Sequence, residues 1–164
     1  MTIYVKNKHT LEIDEFSFKC CIGKGGISSK KKEGDKKTPI GLYHIGHLYF
    51  RKDRIKKPVT KLKCVEIKKN MGWCDDPNDL NNYNKLIQIK KTQKYEHLYR
   101  RDKKYDLLVP IKYNFKKPIK NKGSCIFIHI TNNYKATAGC IALKKKDFLI
   151  LLKLINKKTK IKIT

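Results

Sequence analysis

"IFIHITNNYKATAGCIAL", residues 126–143, places a histidine in an apolar run and, eleven residues later, a cysteine directly after a glycine. Side chains alternate along a strand, so the isoleucines at 126, 128 and 130 should lie on one face, and Phe127 and His129 on the other. Both faces are apolar up to His129, which predicts a strand buried on both sides. A histidine there needs hydrogen-bond partners, because leaving a polar group unpaired costs about 1 to 3 kcal/mol.

Cys140 and His129 permit two interpretations. A thiol with a pKa of about 8.5 is mostly protonated at neutral pH, and a histidine within hydrogen-bond reach would remove its proton. Gly139 permits a backbone conformation barred to other residues, and it would place the amides of Gly139 and Cys140 side by side as an oxyanion hole. This arrangement predicts acyl transfer through a thioester. Otherwise Cys140 is a small buried hydrophobe and His129 a satisfied core histidine, and spacing alone leaves both interpretations open.

The rest of the chain indicates a β-rich fold. Alternating apolar residues predict an opening hairpin with its turn at 6–9. Phe148, Leu151, Leu152 and Ile155 recur on one helical face, which predicts an amphipathic helix over 145–156. The strands are predicted at 2–7, 11–23, 41–50, 64–68, 105–114, 123–131 and 159–164. We therefore expect one domain over residues 1–164, mainly β in the α+β sense, with a closed or sandwiched core and one helix after Cys140.

Three segments lack clear periodicity. Residues 23–41 are rich in Gly and Lys and predict a long loop, which in a compact domain tends to be functional. Residues 71–87 are dense in Asp, Asn, Pro and Gly and predict an ordered irregular loop rather than an element. Residues 92–104 are compatible with a short helix or a turn.

Composition restricts the function only weakly. Forty Lys and Arg against fourteen Asp and Glu give a net charge of +26, so the surface should attract polyanions. Most of the excess is Lys, spread along a chain also rich in Asn and Ile, as expected from a biased coding sequence. Six cysteines without a C-x-x-C spacing argue against a zinc cage or a clear disulfide framework. His44 and His47 should face opposite sides of a strand, so we expect no metal site and no cofactor.

The glycine-cysteine segment resembles the active-site signature of the L,D-transpeptidases, the YkuD-domain family of bacterial cell-wall enzymes. The shared pattern is a strand ending in His, a short loop, and Gly-Cys-Ile followed by an aliphatic residue. Upstream, residues 23–46 are similar to the family's substrate-side loop, and 71–84, 95–114 and 122–130 resemble a compact subgroup in which the catalytic domain is nearly the whole protein. The likeness runs from about residue 20 to 155.

The resemblance implies a role for each residue of the pair. Cys140 would be the nucleophile, His129 the general base, and the amides of Gly139 and Cys140 the oxyanion donors, with a backbone carbonyl orienting the imidazole. Ala138 and Ala142 stand where the commoner motif has His and Arg, so Arg100, Arg101 or a loop lysine would replace that Arg. Trp73 and Tyr83 could form the wall of a glycopeptide groove, or Trp73 could plug the core under its loop. The predicted substrate-binding residues are Thr38, Pro39 and Gly41 (the T-P-x-G), Trp73, Tyr83, Arg100 and Arg101.

The implied function is a transferase of cell-wall biogenesis and cell shape that cross-links donor and acceptor peptidoglycan stem peptides, in the 3-3 or the 1-3 manner. Two other functions stay open: a cysteine amidase or carboxypeptidase that trims stems, and a basic nucleic-acid-binding module. The resemblance implies a periplasmic or envelope location, although residues 1–16 do not read as a signal peptide and the cytoplasm is not excluded. The longest apolar run, at 148–152, is too short to span a bilayer.

Overall fold

The computed structural model describes residues 1–29, 31–90 and 94–164. Within these ranges the chain forms fifteen strands and one helix. The first eight strands are β1 (Thr2–Val5), β2 (Thr10–Ile13), β3 (Phe16–Cys21), β4 (Ile27–Ser28), β5 (Thr38–Pro39), β6 (Gly41–His44), β7 (Leu48–Phe50) and β8 (Cys64–Glu66). The others are β9 (Met71–Cys74), β10 (Leu86–Gln88), β11 (Tyr95–His97), β12 (Leu107–Pro110), β13 (Phe127–Ile130), β14 (Ile141–Leu143) and β15 (Lys160–Ile163), with α1 (Lys145–Leu154) between β14 and β15.

One large sheet organises the molecule. Its ten strands run in the order β6-β15-β1-β2-β3-β14-β13-β12-β7-β8, beside a three-stranded sheet β10-β9-β11 and the short pair β4-β5. β13 pairs in parallel with β14 and antiparallel with β12, so it has a neighbour on each side. The predicted mainly β fold with a single helix is confirmed.

The two faces of β13 pack into different cores, as the alternation predicts. Ile128 and Ile130 belong to a cluster of mostly aliphatic side chains, here called the aliphatic cluster, which also holds Phe148 and Leu151 of α1. Phe127 points the other way, into a second cluster with Trp73, Tyr105 and Cys140 among its members, here called the aromatic cluster.

The helix follows β14 almost directly. Phe148, Leu151 and Leu152 are its buried residues, which confirms the predicted apolar face. Asp147 in the first turn and Lys153 in the last turn complement the helix dipole. Because the buried face of α1 packs in the aliphatic cluster, the helix fixes the position of β14 and of Cys140, the residue immediately before this strand.

Several predicted boundaries are wrong. The run 11–23 is two strands, β2 and β3, which turn at Asp14 with a φ of 48°. The run 41–50 is broken into β6 and β7, and the ends of 71–87 form β9 and β10 rather than an irregular loop. In 92–104, Thr92 and Gln93 lie outside the described residues, and the remainder forms β11 followed by bends and a turn, which agrees with the predicted turn and not with the alternative of a helix. Lys30 of the predicted loop 23–41 also lies outside them, and the loop contains β4 and β5.

Candidate active site

Cys140 lies immediately before β14, on the face of the sheet that carries the aromatic cluster. It is 6% exposed. The Phe127 N–H donates to its Sγ (3.3 Å), and the thiol donates to the carbonyl of Cys125 (3.2 Å). Both partners are backbone groups at or just before the start of β13, where the strand's own ladder is incomplete. The thiol is therefore held in one orientation by the backbone.

Burial decides the protonation of this thiol. It raises the pKa of Cys140 to about 12, and the Phe127 N–H bond offsets part of that rise. The Glu96 carboxylate raises this pKa further, whereas the Lys31 and Arg100 cations lower it. At neutral pH the resting side chain is a thiol.

His129 lies on the same strand and is also 6% exposed. Its Nδ1 is 2.8 Å from the carbonyl of Ile130, and its ring packs edge-on against Tyr105 at 5.4 Å. A carbonyl can only accept, so Nδ1 carries the proton and Nε2 is left with a free lone pair. Burial lowers the pKa of His129 to about 4, which keeps the imidazole neutral. The ring therefore has the tautomer that a base acting through Nε2 requires.

The two side chains share a face but form no thiol–imidazole hydrogen bond. Phe127 and His129 point to the same side of β13, and Cys140 packs with Phe127 in the aromatic cluster. The Sγ bonds run to Cys125 and Phe127 and the Nδ1 bond to Ile130. The resting pair is thus a neutral thiol and a neutral imidazole, not the ion pair that would form if the histidine were within hydrogen-bond reach and removed the thiol proton. The catalytic roles stay predictions.

Gly139 occupies a position that favours glycine. Its φ is +135°, and a Cβ added there would lie 2.8 Å from the Lys37 carbonyl oxygen. Its N–H donates to Thr137 Oγ1 (3.1 Å), and that hydroxyl donates to the Cys140 carbonyl (2.6 Å). The Gly139 amide would have to leave this bond before it could serve as the predicted oxyanion donor.

The Thr38 hydroxyl holds the backbone of Gly139 through a hydrogen bond. Its side chain is fully buried; Oγ1 accepts from the Gly23 N–H (2.9 Å) and donates to the Gly139 carbonyl (2.9 Å). Pro39 is also buried, and Gly41 begins β6 with its Cα facing the Tyr43 ring. The resemblance predicts that all three T-P-x-G residues contact substrate, but the Thr38 hydroxyl bonds the backbone of Gly23 and Gly139 and so supports these two glycines.

Trp73 and Tyr83 are buried, at 2% and 1% exposure. Trp73 packs edge-on against Phe127 with ring centroids 5.3 Å apart. Tyr83 donates to Glu33 Oε2 (2.5 Å) and accepts from the Gly123 N–H (3.1 Å). Their burial corrects the prediction of an aromatic groove wall and supports the alternative that Trp73 fills the core.

The two predicted arginines are placed differently. Arg100 pairs with Glu96 (2.9 Å) and Asp102 (2.7 Å), lies over the Tyr105 ring at 5.0 Å, and is near enough to lower the pKa of Cys140. Arg101 is exposed, and its carbonyl accepts from Arg54 (3.0 Å). Arg100 is thus near the thiol, whereas the described contacts of Arg101 are on the outer surface.

Sequence reasoning overlooked two residues that support the thiol's surroundings. The Oδ1 of Asn84 accepts from the Trp73 indole (3.0 Å) and from the Cys125 N–H (3.2 Å), and so fixes the residue whose carbonyl holds Cys140. Lys31, with its side chain 4% exposed, donates to Asp35 (2.5 Å) and to the Lys37 carbonyl (2.7 Å). Nothing distinguishes Lys31 from the other lysines in its run, whereas Asn84, with a φ of 57°, is a residue type that tolerates left-handed backbone.

The described part of the chain contains no group of three or more His, Cys, Asp or Glu side chains placed to hold a metal ion. It also contains no helix of the length and apolarity that crossing a membrane requires.

Comparison with known proteins supplies the family. The model of the YkuD family, described as the L,D-transpeptidase catalytic domain, matches residues 1–163. The chain therefore belongs to the L,D-transpeptidase catalytic domain family, whose function relates to peptidoglycan.

Solved structures agree on the fold. The helical cell shape determining protein Pgp2 from Campylobacter jejuni is similar, with a TM-score of 0.53 and 18% identity. A mutant of the same protein gives a TM-score of 0.50 at 18% identity. In both cases the likeness covers 99% of this chain but 46% of the other. A search of curated proteins found no match.

Proposed function

We propose that this protein is an L,D-transpeptidase that joins peptidoglycan stem peptides through a thioester on Cys140. The proposal rests on one observation. A cysteine fixed by backbone groups shares a sheet face with a histidine whose Nε2 is left as an acceptor, in a chain of this family. A role in cell-wall biogenesis and cell shape and a location in the cell envelope are inferred from the family. Both are part of the same proposal.

The chemistry needs only groups that this chain supplies. The Cys140 sulfur attacks a donor-stem carbonyl while its proton passes to Nε2 of His129. The imidazolium then gives that proton to the departing amine, and a thioester remains. An acceptor amine attacks the thioester carbonyl and loses a proton to Nε2, which returns it to sulfur as the new amide bond forms. If water replaces the amine, the result is trimming instead of joining.

The neutral resting pair constrains how the reaction begins. With the pKa of the thiol near 12 and that of the imidazole near 4, proton transfer is unfavourable before substrate binds. The thiol must also give up its bond to the Cys125 carbonyl to reach Nε2. We expect the developing oxyanion, once received by backbone amides, to make the transfer favourable in the transition state.

Product analysis tests the proposal. Purified muropeptides would be incubated with the wild type and with Cys140→Ala, and the products read by tandem mass spectrometry. Joined stems that need Cys140 support transfer, and fragmentation assigns the 3-3 or the 1-3 bond. Shortened monomers alone identify a trimming amidase or carboxypeptidase, and unchanged substrate contradicts both. Salt-sensitive retention on DNA that is indifferent to Cys140 would favour the basic binding module.

A further inference from the structure

The strand β10 has one unpaired edge. In the described part of the chain it is the last strand of the three-stranded sheet, with β9 beside it on one side only. An unpaired edge presents a row of backbone N–H and C=O groups to which a further strand can bind. Residues of β10 and of β8 line a groove of about 660 Å³, here called the edge groove.

The hydrogen bonds of β10 show which of its backbone groups are free. The Lys85 carbonyl accepts from β9 at 2.9 Å, and the Ile89 N–H donates to the residue before β9 at 2.8 Å. In an antiparallel ladder, hydrogen-bonded pairs alternate with pairs whose N–H and C=O groups point outwards. The N–H and C=O groups of Leu86 and Gln88 therefore point away from β9, and both residues line the edge groove.

The other side of the edge groove is β8, the last strand of the ten-stranded sheet. Val65 of this strand and Met71 of β9 supply apolar side chains to the groove, and both also pack against the aromatic cluster. Leu86, which is 39% exposed, adds a third. The described residues that line the groove do not include Cys140, so a ligand bound there would not contact the thiol.

The charges around the edge groove are mainly positive. Lys63 and Lys68 line it, and both are exposed. Lys85 directly precedes β10, and Lys90 follows it two residues further on. Among the described residues that line the groove, the acidic one is Glu66 of β8, which is already paired with a lysine at 2.9 Å. The edge of β10 is therefore flanked by cations, whereas that of β8 carries a carboxylate.

We infer that the edge groove binds an extended acidic segment of a partner protein, which adds to β10 as a fourth strand of the three-stranded sheet. Such a segment supplies N–H and C=O groups at the spacing of a strand, which match the outward groups of Leu86 and Gln88. Its apolar side chains would contact Val65 and Met71, and its carboxylates would face the lysines. The inference does not depend on the proposed function, since the groove is separate from the thiol.

Two other occupants fit the edge groove less well. A second copy of this chain would bring the same lysines to the groove, and each copy carries a net charge of +26. A nucleic acid has the complementary charge, but its phosphates accept hydrogen bonds only and cannot donate to the free carbonyls of a strand edge. An acidic peptide in the extended conformation satisfies both the charge and the backbone groups.

N-methylated peptides test the strand pairing directly. The full chain would be titrated into a fluorescein-labelled octapeptide of alternating Glu and Val, with binding measured by anisotropy. Two further peptides carry N-methyl groups on every Val or on every Glu, and each lacks the N–H donors along one edge while its charge is unchanged. We expect one of them to bind about tenfold more weakly, because its methyl groups face β10, and the other to bind as the unmodified peptide does. Equal affinity of all three peptides would show charge attraction alone and overturn the inference.

Gln88→Pro removes one N–H from the edge of the protein. This N–H points away from β9, so the ladder keeps its bonds, and proline is tolerated at such positions of edge strands. We expect affinity for the unmodified peptide to fall about fivefold, and to change less than about twofold in the matched control Gln88→Ala. Unchanged affinity in Gln88→Pro would contradict the pairing. If urea unfolding shows that this variant is destabilised, the N-methylated peptides on the wild type decide.

Charge variants test the contact with the acidic side chains. Lys63→Gln combined with Lys68→Gln should weaken binding about fivefold and reduce its salt dependence. Lys157→Gln combined with Lys158→Gln removes the same charge from exposed residues that do not line the groove, and should change affinity less than about twofold. Equal losses in the two double variants would count against the groove. A dimer of the free chain in sedimentation that Gln88→Pro abolishes would assign the edge to a second copy and also overturn the inference.

Discussion

The two faces of β13 carry neighbouring side chains into different surroundings. On one face Ile128 and Ile130 pack among aliphatic side chains and against α1. On the other, Phe127 and His129 meet Trp73 and Tyr105, together with the thiol of Cys140. Polar groups are tolerated on this second face because backbone groups at the ends of the strand serve as their partners: the Phe127 N–H and Cys125 carbonyl at its start, and the Ile130 carbonyl at its end.

The comparison of the two faces shows where a buried strand can hold reactive groups. The middle of a ladder has its N–H and C=O groups occupied by neighbouring strands, whereas the ends leave some free. A thiol and an imidazole placed at the two ends can therefore be satisfied without a side-chain network. The packing of the aliphatic face fixes the position of the strand, and the aromatic face carries the thiol and the imidazole.

The largest expected effect comes from Cys140→Ala. Loss of the sulfur should lower joining or trimming of stems by on the order of 10³-fold or more, since no thioester can form. The free energy of unfolding should change by only about 1 kcal/mol, because a small side chain is replaced by a slightly smaller one. Product assays and urea titration measure the two quantities. Cys64→Ala is the matched control, and comparable loss of activity in that variant would contradict the assignment.

His129 should make stability depend on pH. Its pKa is lowered from 6.5 to about 4 in the folded protein, so between these values the unfolded chain binds a proton that the folded chain does not. Stability contributed by the neutral ring is then present above pH 6.5 and is lost as the pH falls towards 4, by up to about 3 kcal/mol. Urea unfolding of the wild type and His129→Gln at pH 7 and pH 4.5 measures the difference. If His129→Gln keeps the wild-type dependence of stability on pH, the assignment of a buried, neutral imidazole to His129 is wrong.

Thr38→Val tests the support beneath Gly139. The change leaves the buried Gly23 N–H and the Gly139 carbonyl without their shared hydroxyl. We expect a loss of about 1 to 3 kcal/mol in the free energy of unfolding, together with reduced turnover. Thr38→Ser keeps the hydroxyl and should restore most of both. A loss in Thr38→Ser with none in Thr38→Val would mean that the methyl group, not the hydrogen bonds, matters.

The smallest effect is expected on the aliphatic face. Ile128→Val removes one methylene from a fully buried side chain and should cost about 0.5 to 1.5 kcal/mol. Turnover at a temperature well below the unfolding midpoint should not change. A fall in turnover larger than the fall in stability would show that the two faces of β13 are coupled.

Much of this arrangement could be predicted from sequence, and the limits have physical causes. Period-two alternation correctly separates the faces of β13, and helical spacing finds α1, because both report burial directly. β9, β10 and β14 were missed, since three- or four-residue strands next to Asn, Asp and Gly give too little periodicity. Trp73 and Thr38 were expected to touch substrate, but whether an aromatic or a hydroxyl faces a groove or the interior depends on contacts between segments distant in sequence.

The position of β15 affects the order in which this protein can mature. This strand pairs in parallel with β1 and antiparallel with β6, and so joins the two ends of the described chain. β6 follows directly from the segment that contains Thr38, so the position of the hydroxyl that bonds Gly23 and Gly139 depends on the pairing of residues 160–163 with β6. During synthesis on a ribosome the backbone contacts that position Cys140 should stay incomplete until residues 160–163 have emerged, because pairings between residues so distant in sequence form late.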